Sequence, residues 1–103
     1  MSEKMENSDP TLLKVLGRKK KGDERKAYVK QLANAILKVV EKHGVANLRA
    51  VGGEAVSNVE KSLAIAEARA KESGGELVET TSFTDVEFDG EIKTGILKTV
   101  FYR

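Results

Sequence analysis

The chain has 103 residues, of which 40% are hydrophobic and 33% charged, and a formal net charge of +2. That size suits one domain with one core, and the balance excludes a wholly disordered chain. The sequence has no cysteine, which excludes disulfides, thiolate catalysis and Cys-based zinc sites.

The N-terminus MSEKMENSDP is polar and ends at Pro10, which reads as a mobile tail over 1–10 ahead of a single domain over 11–103. It offers no apolar stretch suited to a signal peptide. No later segment approaches the ~20 apolar residues of a membrane span, so the expectation is a cytoplasmic protein without membrane contact.

TLLKVLG, residues 11–17, is short and apolar and predicts a first strand. GRKKKGDERK follows over 17–26, with four consecutive basic side chains. From about Asp23 the apolar residues Val29, Leu32, Ala33, Ile36, Leu37 and Val40 fall on one helical stripe, with Asp23 placed to cap the helix and Gly44 to end it. VANLRAV, 45–51, predicts a short buried strand through Val45, Leu48 and Val51. After Gly52-Gly53 a second helical pattern carries Ala55, Val56, Val59, Leu63, Ala66 and Ala70 on one face, and its small residues suit close approach by a partner. ELVETTSFTDVEF (76–88) and EIKTGILKTVFY (91–102) flank Asp89-Gly90. Asp-Gly between strand-formers predicts a hairpin with a type I′ turn, whose two central residues both need positive φ.

The order strand, helix, strand, helix, strand, strand predicts an α+β fold. It is a two-layer β-α-β-α-β-β sandwich, with both helices on one face of a four-stranded mixed sheet.

Charge is unevenly spread. Between Lys14 and Lys30 eight basic residues stand against Asp23 and Glu24, an excess of +6 that leaves −4 for the rest of the chain. The molecule is therefore a dipole with one basic region.

Other features have plain structural readings. Gly52-Gly53 lacks the further glycines of a dinucleotide fingerprint and the lysine of a P-loop, so it reads as a tight turn. His43, the single histidine, suits the C-terminal end of a helix dipole. Asp85, Glu87, Asp89 and Glu91 read as a solvated strand face that discourages edge pairing rather than as a metal site. Tyr28, Phe83, Phe88, Phe101 and Tyr102 are scattered and read as core or dimer contacts rather than base-stacking platforms. With no nucleophile-base pairing, metal cluster or cofactor loop, neither enzyme activity nor a cofactor or small-molecule substrate is expected.

AVGGEAVSNVEKSLAIAEARA (50–70) and FTDVEFDGEIKTGILKTVFYR (83–103) resemble the stage V sporulation protein S family. The matching features are the Gly52 loop, Lys61, Ala64-Ile65-Ala66, Phe83-Thr84-Asp85, Asp89-Gly90-Glu91, Thr94, Ile96, Val100 and Arg103. With LLKV at the first strand the similarity spans about residues 12–103. That family looks like a member of the Alba-like superfamily, whose fold has the same element order and whose better-known members are dimers that bind DNA or RNA.

The resemblance implies a small homodimeric nucleic-acid-binding protein that touches the phosphate backbone with low sequence specificity. The basic pair after the first strand of Alba proteins carries over onto Arg18 and Lys19, with Lys20 and Lys21 beside them and Arg25 and Lys26 next along the basic region. The glycine-led start of the second helix carries over onto Gly53 and Ser57, where Glu54 and Asn58 depart from the usual basic pattern. The hairpin, basic in Alba proteins, is acidic here. A non-enzymatic protein-interaction or structural subunit of a developmental program, with no nucleic-acid binding, remains the alternative.

Overall fold

A computed structural model describes residues 9–17 and 22–103. Six elements follow in the expected order: β1 (Leu12–Val15), α1 (Gly22–His43), β2 (Ala46–Val51), α2 (Gly53–Glu72), β3 (Leu77–Phe88) and β4 (Glu91–Tyr102). They form an α+β fold with one four-stranded mixed sheet in the order β1-β2-β4-β3. β1 runs parallel to β2, while β4 is antiparallel to both β2 and β3.

Alternation along the strands decides the layers. Ala46, Leu48 and Ala50 of β2 are buried and share a core with Val15 and Val100 of the sheet, Ile36 and Val40 of α1, and Val59, Leu63 and Ala66 of α2. Asn47, Arg49 and Val51 therefore point to the opposite face, which neither helix covers. The expected spacing in β2 is corrected here: Val45 precedes the strand and Val51 lies on the open face. A two-residue period leaves the two alanines, not the valines, beside Leu48.

The α1 stripe is as expected, with Val29, Leu32, Ala33, Ile36 and Val40 buried. Gly44, at φ 84°, ends the helix and donates its N–H to the Val40 carbonyl at 2.8 Å. Asp23 does not cap the helix. It lies inside the first turn with Glu24, where carboxylates suit the positive end of the dipole.

The α2 stripe is buried largely as expected, with Val59 and Leu63 in the core. Ala55, Ser62, Ala66 and Ala70 are buried within the chain itself. The small-residue face thus lets the chain's own elements approach closely and is not open to a second copy.

β3 and β4 turn over Asp89 (φ 53°) and Gly90 (φ 79°), the two positive values a type I′ turn needs. β2 reaches β4 only as far as Gly95, so beyond Thr84 and Gly95 the hairpin continues as a two-stranded arm. At Gly95 a side chain would collide with the neighbouring strand. A Cβ there would stand 2.7 Å from the Ala50 carbonyl oxygen and 2.9 Å from Val51 Cγ2.

At the start of the chain, Asp9 accepts hydrogen bonds from the backbone N–H of Thr11 at 2.9 Å and its hydroxyl at 2.7 Å. Those bonds hold its carboxyl below the ordinary range. Asp9 and Pro10, expected in the tail, thus lead directly into β1. Among the described residues no helix is long and apolar enough to cross a membrane.

Candidate nucleic-acid interface

The first strand, expected over 11–17, ends at Val15, and the reason is a clamp on the next residue. The Leu16 N–H donates to Tyr28 Oη of α1 at 2.9 Å, and its carbonyl accepts from Asn58 Nδ2 of α2 at 2.9 Å. Groups that would otherwise extend the ladder are taken by the helices. Asn58 is buried at 2% exposure, so it is a structural support and not the surface contact that its place in the motif suggests. Gly17 then passes so near α2 that a Cβ would lie 2.8 Å from the Ala55 nitrogen.

Beside that exit lies an open groove of about 570 Å³. It is lined by Lys14 and Arg49 of β1 and β2, by Gly17 and Gly52, and by Glu87, Lys93 and Thr94 of the hairpin. Lys14 and Arg49 stand directly opposite each other in the β1–β2 register. Like charges so placed repel, and among the described residues neither has a carboxylate within ion-pair distance. Sequence reading missed this pair because only the parallel register brings the two side chains together.

A second groove, about 480 Å³, runs between α1 and α2. Its rim holds Arg25, Lys26, Lys30 and Lys61, and its floor Val29, Ala64 and Ile65. Arg25 is partly spent on structure: Nη2 lies 3.2 Å from Glu54 Oε1, tying α1 to the first turn of α2. Glu54, which breaks the expected basic pattern, has its charge matched there.

Of the expected contact residues, Arg18, Lys19, Lys20 and Lys21 lie outside the described residues. The chain enters that stretch at Gly17, on the first groove, and leaves it at Gly22, on the second. Arg25 and Lys26 come together at the second groove. Gly53 is exposed and Ser57 half-buried at the start of α2, and neither lines a groove. Gly52 lines the first, and its φ of 95° explains the glycine without any ligand.

A third charged cluster is structural. Lys98 is 8% exposed and pairs with Glu79 at 2.7 Å and Glu60 at 3.1 Å, tying α2 to β3 and β4. Burial pulls the Lys98 pKa down, but hydrogen bonds to Glu79 and Glu60 outweigh it and the net shift is upward. Burial likewise pushes Glu79 up, and hydrogen bonds from Lys98 and Glu67 reverse it to a net lowering. Glu67 is raised, first by its hydrogen bond to Glu79 and then by burial. Among the described residues no group of three or more His, Cys, Asp or Glu is arranged to hold a metal ion.

Residues 24–103 fit the family described as Stage V sporulation protein S (SpoVS). β1, Lys14 and the run Arg18–Lys21 precede the matched residues, whereas Arg49, α1 from Glu24 onward, α2 and the hairpin fall within them.

Proposed function

Because the chain belongs to the Stage V sporulation protein S family, we propose that this sporulation-related small protein binds nucleic acid. It contacts the phosphate backbone with low sequence specificity, acts as a homodimer and catalyses no reaction. What carries the reading is Lys14 opposite Arg49. Two cations held side by side, with no ion-pair partner among the described residues, cost stability, and a phosphate in the groove offsets that cost. The basic run Arg18–Lys21 follows Gly17, which lines that groove. Backbone contacts read charge rather than bases, so DNA and RNA sequences should be discriminated weakly.

The test is a salt-series titration of the purified protein against duplex DNA, RNA and heparin, repeated with Lys14→Glu plus Arg49→Glu. Each lost duplex contact should flatten the log-log salt dependence by roughly 0.9. Absence of binding at low salt, or an unchanged slope in a folded double variant, overturns the reading.

One observation favours a second reading, a protein-interaction subunit. The β3–β4 hairpin carries exposed carboxylates on its arm together with Ile92 at 75% exposure, and Phe83 at 78% exposure at the arm's base. Large apolar side chains beside acidic ones suit a protein surface better than a phosphate backbone.

A further inference from the structure

The arm and the helical groove are complementary in both charge and polarity. The register places Phe83, at the base of the arm, and Asp85 and Glu87 of β3 on the same face of the hairpin as Ile92 of β4, so two exposed apolar side chains share a face with two carboxylates. The groove between α1 and α2 has the inverse pattern, an apolar floor of Val29, Ala64 and Ile65 under the cationic rim of Lys26, Lys30 and Lys61. Those three lysines are exposed and have no carboxylate within ion-pair distance among the described residues. Within one chain the arm does not fill the groove, since Phe83 and Ile92 are left in solvent.

We propose that the hairpin arm of one copy docks in the α1–α2 groove of a second copy, with Phe83 and Ile92 on the apolar floor and Asp85 and Glu87 against Lys26, Lys30 and Lys61. The proposal gives the homodimer its interface. Because each copy carries one arm and one groove, two copies have matching needs. Burying Phe83 and Ile92 supplies the apolar drive, and the facing charges set the partner and its register. α2's small-residue face plays no part, being consumed in the core.

Nucleic acid is left out of the test, so its result is separable from phosphate binding: a monomer that binds DNA sinks the interface alone. The mass of the full chain in solution is measured by light scattering and sedimentation up to about 100 µM. It is compared with a groove-reversed chain (Lys26→Glu, Lys30→Glu, Lys61→Glu), an arm-reversed chain (Asp85→Lys, Glu87→Lys) and Phe83→Ser. All of these positions are exposed, and circular dichroism confirms that each variant is folded. The wild type should associate, and each variant alone should do so at least about tenfold more weakly. An equimolar mixture of the two reversed chains should recover association, because each then meets a partner of opposite charge. A monomeric wild type, association indifferent to both reversals, or a mixture that stays dissociated overturns the proposal.

Discussion

Gly95 is a residue whose absent side chain decides how closely two strands approach. A Cβ there would be 2.7 Å from the Ala50 carbonyl oxygen, a backbone atom that moves only if the β2–β4 pairing moves. Gly95→Ala should cost about 1–3 kcal/mol, measured as a lower denaturant midpoint at unchanged m. The carboxylates around Lys98 make a prediction in pH. Glu79, lowered from 4.5, contributes stability present above 4.5 and lost as pH falls through its folded value. Glu67, raised from 4.5, works the other way: its contribution is present below 4.5 and lost as pH rises through its folded value. Lys98, raised from 10.5, holds its contribution below 10.5 and loses it only in stronger base. Glu67→Gln keeps a donor for Glu79 and removes the charge that is disfavoured at neutral pH. Its melting temperature should exceed wild type by about 2 °C near pH 7 and match it near pH 4. An equal gain at both would show that the charge is not the cause.

Among the elements, the exit of β1 depends on two helices at once. Tyr28 and Asn58 hold the two backbone groups of Leu16, so Asn58→Ala leaves the carbonyl without its donor and should cost about 1–3 kcal/mol in denaturant unfolding. The helices and the hairpin turn were legible because their signals are local: apolar residues at helical spacing, glycine after His43, and Asp-Gly between strand-formers. The clamp and the first groove were not, since Leu16 and Asn58 are 42 residues apart and Lys14 meets Arg49 only through strand register. α2 misled in the other direction. A stripe of alanines reads the same whether a partner or the chain's own core fills it, and here the core does. The arm makes a further prediction. In the single chain Glu87 lines the first groove with Lys14 and Arg49, so Glu87→Gln should tighten nucleic-acid binding by about twofold when the titration is run at concentrations where the chain is monomeric. Weaker binding at an unchanged melting temperature would point to a different docking face.

At the scale of the whole molecule, the stretch from Lys14 to Lys30, with its excess of +6, supplies residues to both grooves, Lys14 to the first and Arg25, Lys26 and Lys30 to the second. Gly17 opens the run against the phosphate-binding candidate, and Gly22 closes it against the groove assigned to a second copy. Arg18–Lys21 can therefore act with Lys14 and Arg49 on one backbone while Lys26, Lys30 and Lys61 hold the partner's arm. If that division holds, charge reversals in the run and in the helical groove separate cleanly. Lys19→Glu with Lys20→Glu should lower affinity for all sequences alike and flatten the duplex salt slope by roughly 1.8 in total, about 0.9 for each contact. Stability should change by less than ~0.5 kcal/mol, as is usual for surface substitutions. Association without nucleic acid should keep its wild-type concentration dependence, because the arm's proposed contacts are Lys26, Lys30 and Lys61. A folded double variant with the wild-type slope removes the run from the phosphate contact, leaving Lys14 and Arg49 to carry it alone. A variant that binds normally but no longer pairs would place the run in the dimer interface instead.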